Sequence, residues 1–158
     1  MFFVDSDFRE SGGTFSVTLK SNGAGAIAVK VYASSGCVVK NPYFVSYGYT
    51  TNTSGLWFQA TAIGASQKGV LGVASATIAS GCCGWVTIRG PVTDAAGPAT
   101  SFTGSCGHSV YWGGATGIGC TGSAFQGLAH QVGFLLEGTN ASTTANIFLT
   151  GNLFGQSL

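Results

Sequence analysis

The chain has 158 residues, of which 45% are hydrophobic and only 7% are charged, against about 25% charged in ordinary globular proteins. This length suits one domain with a real core, and the hydrophobic content excludes an intrinsically disordered chain. The formal charge of +1 and the scattered Lys and Arg argue against direct binding to nucleic acid. No apolar run is long enough for a transmembrane helix, and the opening MFFVDSDFRE does not resemble a secretory signal, so no membrane partner is expected.

Low charge also bears on association between subunits. The surface must be covered mainly by Ser, Thr, Asn, Gln and the 26 glycines, and a formal charge of +1 gives copies little mutual repulsion. We therefore expect partner subunits to cover much of this surface. A homo-oligomer, either a dimer or a trimer, is predicted.

Residues 1–12 are predicted to form an N-terminal arm that precedes a single β domain at residues 13–158. Phe2, Phe3 and Phe8 are interleaved with charged residues in this arm. A frayed terminus is the ordinary alternative. The three aromatic side chains favour contact with a neighbouring subunit, and we predict them as interface residues.

Alternating apolar and polar residues predict strands in the first third of the domain. Residues 14–20 and 26–32 alternate on either side of a Gly-containing turn, which predicts an antiparallel hairpin. Residues 38–39 are a candidate short strand. Residues 43–49 are aromatic and β-prone, and residues 56–63 fit another strand.

The most informative stretch is Lys68–Val92, which predicts two strands joined by a tight corner. The first run, Val70–Ile78, is small and apolar. The corner at residues 79–84 contains Gly81 and Gly84, which supply conformational freedom. The second run, Trp85–Arg89, alternates, and the Gly-Pro pair that follows is expected to end it.

The alternation in this second run separates two faces. Val86 and Ile88 share one face, which we predict to lie in the core, whereas Trp85 and Arg89 share the other. The reverse assignment of the two faces is the alternative. Trp and Arg side chains are typical anchors of protein interfaces. Trp85 and Arg89 are therefore predicted to lie at a subunit contact.

Short strands and turns continue to the end of the chain. Residues 101–124 are rich in glycine, and only residues 109–112 resemble a strand. Residues 131–137 and 145–150 predict two strands joined by a turn at 138–142. No window keeps a helical period. The chain is therefore predicted to be all-β, a compact antiparallel β-barrel or sandwich with Gly-rich loops and an N-terminal arm.

The five cysteines are expected to be free thiols, because their number is odd and no export signal is recognised. Cys106 and His108 form a Cys-x-His pair, and Cys82 and Cys83 are adjacent. Adjacent strand residues point to opposite faces, so the latter two cannot easily bind one ion. We predict no metal site and no cofactor, and we interpret Cys82 and Cys83 as small corner residues.

Catalytic residues are not indicated either. His108 and His130 have no GxSxG motif to accompany them, and Glu137 has no evident second acid for glycoside cleavage. Catalytic groups that converge only in space leave no motif in a sequence, so a small hydrolase that uses one of the histidines stays open as an alternative. Our prediction is that the chain is not an enzyme.

The three tryptophans, Trp57, Trp85 and Trp112, raise a further alternative. Aromatic side chains can line a sugar-binding surface, and they serve equally often as core or interface anchors. A receptor- or glycan-binding module is therefore an alternative function.

The stretch Leu71–Val92, LGVASATIASGCCGWVTIRGPV, resembles a pattern common in bacteriophage virion proteins of the capsid decoration, or cement, type, including those of cyanophages and marine phages. Val132–Glu137 and Ala145–Leu149 are similar to the closing hairpin of the same proteins. Cys83 stands where those proteins more often have an aromatic residue, and Leu135 stands where Ala is more usual. The resemblance covers roughly residues 56 to 150, without the glycine-rich segment.

This resemblance implies a compact β-barrel or sandwich that binds the outer capsid shell and has no enzymatic role. The implied partner is the major capsid protein, whose neighbouring subunits the chain would bridge and stabilise. The implied location is the capsid surface of the virion, after assembly in the host cytoplasm. In a phage, the alternative named above becomes a receptor- or glycan-binding module of a tail or fibre.

Overall fold

The computed structural model describes residues 19–21, 25–50, 55–62, 69–97, 102–113, 117–120, 131–151 and 153–154. Every regular element among these residues is a β-strand, which confirms the predicted all-β class. The predicted N-terminal arm, with Phe2, Phe3 and Phe8, lies outside the described residues.

Thirteen strands are assigned within the described residues. They are β1 (Leu19–Ser21), β2 (Ile27–Ala33), β3 (Pro42–Thr50), β4 (Gly55–Ala62), β5 (Gly69–Ala74), β6 (Cys82–Ala96), β7 (Phe102–Gly104), β8 (Ser109–Trp112), β9 (Ile118–Gly119), β10 (Gln131–Leu135), β11 (Thr139–Ser142), β12 (Thr144–Leu149) and β13 (Leu153–Phe154).

Five strands close into a barrel in the order β2, β4, β3, β5, β6 and back to β2. All pairs are antiparallel except β2 with β4, which run parallel through Tyr32 and Gln59. Alternate residues of each strand point inward and form the barrel core, which includes Val29, Val31, Val45, Ala60, Ala74, Ile78 and Val86. The predicted barrel is therefore confirmed, with one parallel pair that the hairpin pattern did not indicate.

A second sheet continues from the barrel through β6, in the order β6, β12, β10, β8, β9. Its inner face packs against Phe44, Leu71 and Val73, which are supplied by β3 and β5. Strands β3 and β5 thus contribute alternate residues to two cores, because Tyr43 and Val45 on either side of Phe44 point into the barrel. A separate two-stranded sheet pairs β7 with β11.

Strand β6 is longer than predicted. Gly90–Pro91 was expected to end it, and this expectation is wrong, because the strand continues to Ala96. The first part of β6 pairs with β2, and the second part pairs with β12, where Pro91 lies opposite Phe148. Gly90 has φ of 95° and lies against the backbone of Ala26, so the strand changes direction there while its pairing continues.

Three local predictions also differ from the structure. Val38 and Val39 belong to a turn, and Val38 is exposed. Strand β5 ends at Ala74, and Ile78 forms only an isolated bridge with Cys37. The predicted turn at 138–142 contains strand β11, because β7 supplies a pairing partner distant in sequence.

Other predictions are confirmed. Strands β1 and β2 form an antiparallel pair, although most of the predicted first strand lies outside the described residues. Strands β10 and β12 pair antiparallel as predicted, with Phe134 opposite Phe148. Val86 is fully buried, and Ile88 packs against the same barrel core.

Candidate functional site

The outer face of β2 and β6 carries Trp85, which the sequence predicts to lie at a subunit contact. Because Val86 points into the barrel, Trp85 and Thr87 point outward on β6. Trp85 lies opposite Lys30 and Thr87 lies opposite Ala28 in the ladder with β2. Residues in directly opposed positions share a face, so this face combines an indole, a hydroxyl and small side chains.

A groove of about 530 Å³ opens on this face. The chain that follows β5 forms one wall, where the Ser75 amide donates to the Trp85 carbonyl at 3.1 Å. The Ser75 and Thr87 hydroxyl oxygens lie 3.0 Å apart and share a hydrogen bond. The described lining residues are Ala26, Ala28, Ser75, Ala76, Thr77, Ile78, Cys83, Gly84, Trp85 and Thr87.

Gly84 shapes the barrel wall beneath the groove. A Cβ atom at this position would overlap the Ile78 side chain, so Gly84 lets Ile78 pack directly on β6. Gly81 has φ of 76° in the turn before β6, a conformation that glycine adopts without strain. Gly81 therefore has the conformational role predicted for the corner, whereas Gly84, which has no positive φ, is required for close packing instead.

The described lining of the groove is uncharged. None of the described residues that line it carries an ionisable acid or base other than the Cys83 thiol. Ala26, Ala28 and Ile78 are buried, whereas Ser75 and Thr77 are exposed at the rim. The surface can therefore offer van der Waals contact and neutral hydrogen bonds, which are the usual features of a site for a neutral ligand.

The structure separates the two interface residues predicted on β6. Trp85 is half-buried in the groove wall, whereas Arg89 is exposed and does not line the groove. Arg89 lies at the passage from the barrel to the second sheet, with its side chain beside Gly151. The two residues thus lie on the same strand without forming one site, and a register shift between β6 and β2 separates them.

The three tryptophans do not form one surface. Trp112 is buried in the second core and makes an edge-to-face contact with Phe44, with ring centroids 4.9 Å apart at 82°. The Trp57 side chain lies outside the part of the chain that the structure describes. Trp112 therefore cannot serve a sugar-binding surface, and the interpretation of three surface tryptophans is wrong at this position.

The candidate metal and catalytic residues are dispersed. Cys106 and His108 lie on the exposed turn between β7 and β8, with the His108 ring against the backbone of Gly104. Glu137 accepts a hydrogen bond from the Asn146 side chain at 2.8 Å. Within the described ranges, no group of three or more His, Cys, Asp or Glu side chains is placed to hold a metal ion. His130 lies outside the described residues.

The cysteines fall into two environments. Cys37 and Cys120 are buried, whereas Cys82, Cys83 and Cys106 are exposed. Burial raises the pKa of the Cys37 and Cys120 thiols above the ordinary value of 9.0. The fraction of the nucleophilic thiolate is therefore lower at Cys37 and Cys120 than at an ordinary cysteine.

This difference predicts the reactivity of the native protein toward a thiol reagent such as DTNB. Cys82, Cys83 and Cys106 should react in the native state, and Cys37 and Cys120 only after unfolding. The raised pKa of the two buried thiols also makes the free energy of unfolding depend on pH. Their contribution to it is fully present below about pH 9 and is lost as the pH rises through their pKa in the folded state. Rapid reaction of all five thiols without denaturant would contradict the buried placement.

The sequence predicts only one wall of the groove. The alternation of β6 predicts that Trp85 points outward, but residues 75–77, which form the opposite wall, lie within a run that the sequence predicts as a strand. The small outward residues Ala26 and Ala28 alternate with the predicted Val29 row and were the available signal. The pairing of Ala28 with Thr87 of β6 links segments about 60 residues apart, which local patterns do not encode.

Comparison of the chain with models of known protein families, with curated proteins and with solved structures finds no match. The part of the chain that the structure describes contains no helix with the length and apolarity to cross a bilayer.

Proposed function

We propose that the protein is a structural component of a bacteriophage virion, a capsid decoration protein without enzymatic activity. It binds the major capsid protein on the outer shell and bridges neighbouring capsid subunits. One observation supports this proposal beyond the sequence resemblance itself. The segments that carry the resemblance form adjacent strands, since Ile147 of β12 lies opposite both Val92 of β6 and Leu135 of β10.

The architecture suits a protein that resists mechanical load. Strand β6 runs without interruption from the barrel into the second sheet, and its two parts pair with β2 and β12. Strands β3 and β5 contribute side chains to both cores. A force applied to one half is therefore carried to the other by hydrogen-bonded strands and shared packing.

We place the shell contact around Arg89. Its guanidinium group is exposed on β6, in a chain that has few charges to offer a partner. Arg presents several donors in a fixed geometry, and it is enriched at the energetic centre of interfaces. Contacts through Phe2, Phe3 and Phe8 and a dimeric or trimeric assembly belong to the same proposal.

Co-sedimentation with capsids that lack the protein tests shell binding. The wild-type chain should pellet with such capsids and saturate, whereas Arg89→Glu should weaken binding by roughly tenfold or more. Glu137→Gln is the matched control, because Glu137 is also exposed but lies on the turn after β10. Absence of saturable binding by the wild-type chain would refute the proposed function, and equal binding by Arg89→Glu would refute the placement of the contact.

The second candidate function, a receptor- or glycan-binding module, is favoured by the groove beside Trp85, whose described lining residues are uncharged. A glycan array with no signal would count against it. Glycan binding does not exclude shell binding, because Arg89 lies outside the groove lining.

A further inference from the structure

We infer that the groove beside Trp85 binds a neutral carbohydrate, one or two uncharged pyranose units of an oligosaccharide or polysaccharide. This activity is additional to shell binding and does not depend on it. Three observations favour this ligand: the uncharged described lining, the hydroxyl groups at the rim, and the backbone of β6, which is already hydrogen-bonded to neighbouring strands.

Charge excludes several ligand classes. Phosphates, nucleotides and carboxylated sugars are normally held by Arg, Lys or backbone amides at a helix N-terminus. None of the described residues that line the groove is Arg or Lys, and the described elements are all strands. Lys30 lies opposite Trp85 in the ladder but does not line the groove. A neutral ligand therefore matches the lining better than an anionic one.

The remaining chemistry matches a pyranose ring. Such a ring has an apolar face of C–H groups, which packs on an aromatic side chain, and a rim of hydroxyl groups. Trp85 supplies the aromatic surface, and the Ser75 and Thr87 hydroxyls supply neutral hydrogen-bonding groups at the rim. A hydroxyl has one donor and two acceptor positions, so the bond between Ser75 and Thr87 leaves both oxygens able to accept from a ligand. The volume of about 530 Å³ lies within the usual range of small-molecule sites.

A peptide strand is a poorer fit to the same groove. A peptide that joins a sheet requires an edge with unpaired N–H and C=O groups. Here β6 pairs with β2 on one side and with β5 on the other, so that Thr87 lies opposite both Ala28 and Val73. Recognition must therefore use side chains, and those of the described lining are an indole, hydroxyls, a thiol and small apolar groups.

Titration calorimetry with the full chain tests this site. The probes are neutral trisaccharides of glucose, galactose, mannose and N-acetylglucosamine, with a sulfated and a sialylated trisaccharide as anionic counterparts. At least one neutral probe should bind and the anionic ones should not. Trp85→Ala should weaken that binding by roughly tenfold or more, and Thr87→Val, which keeps the shape but removes the hydroxyl, by roughly threefold or more.

Arg89→Ala is the matched control, since it alters an exposed residue of the same strand outside the groove lining and should leave sugar binding unchanged. If Trp85→Ala does not fold, the sugar affinities of Trp85→Phe and Thr87→Val test the inference in its place. Failure of every neutral probe at millimolar concentration, binding of anionic probes only, or neutral binding unaffected by both groove variants would each overturn the inference. Capsid co-sedimentation of Trp85→Ala separates the two functions, because loss of sugar binding with retained shell binding assigns the groove to the sugar alone.

Discussion

Gly90→Ala is expected to lower the free energy of unfolding by about 3 kcal/mol or more, a large share of the roughly 5 to 15 kcal/mol that stabilises a typical domain. Gly90 has a backbone φ of 95°, which an alanine residue rarely adopts. An added Cβ atom would lie 2.5 Å from the Ala26 Cα and 2.5 Å from the Gly25 carbonyl oxygen. Both neighbours are backbone atoms, so the strain cannot be relieved by a side-chain rotation.

Gly107→Ala is the control that separates conformation from crowding. Gly107 has φ of 86°, but a Cβ atom there would meet no atom within 4 Å. Its substitution should cost only about 1 to 2 kcal/mol, the cost of the left-handed conformation alone. Urea unfolding of the two variants measures the difference. Equal losses would show that β6 does not pass closely against the chain at Ala26.

Phe44→Ala should cost about 3 to 5 kcal/mol, because it removes a large, fully buried side chain and leaves a cavity. Phe44 is on a barrel strand but packs in the second core, edge-to-face with Trp112. The variant should therefore loosen the contact between barrel and second sheet. Urea unfolding gives the loss, and near-ultraviolet circular dichroism reports the change in tryptophan packing.

Phe148→Ala is the matched control for this prediction. Phe148 is half-buried and stacks on Phe134 with ring centroids 5.0 Å apart, on the outer face of the second sheet. Its replacement should lower the free energy of unfolding by less, about 1 to 2 kcal/mol, because the Phe148 ring buries less apolar area than the Phe44 ring and its removal leaves no enclosed cavity. A larger loss for Phe148→Ala than for Phe44→Ala would contradict the assignment of the inner and outer faces.

The all-β class and the positions of several strands could be predicted because alternation is a local signal. Strands β2 and β12 show this signal, and each forms close to where the pattern predicts it. Strands β3 and β4 are predicted instead by their aromatic and β-prone composition, which is also local. Strand β6 shows where a local signal fails. Gly90–Pro91 is a local stop signal, yet β12 supplies a partner beyond it, and pairing decides where a strand ends.

The candidate site was predicted in part for the same reason. The outward direction of Trp85 follows from its neighbour Val86, which is buried in the barrel core. Arg89 lies beyond a register shift between β6 and β2, so alternation alone does not fix its direction. The opposite wall of the groove depends on how β2 and the chain after β5 lie against β6. Barrel closure fixes these positions, and closure joins residues far apart in sequence.

Peptide mass spectrometry combined with an electron-microscopy map of purified virions tests the decoration proposal most directly. Under the proposal, the material is virions of the phage whose genome would carry this coding sequence. The proposal predicts peptides of the chain in intact virions and density for its barrel and second sheet at repeated positions on the outer capsid shell. Absence of the chain from virions, or density confined to the tail, would contradict it.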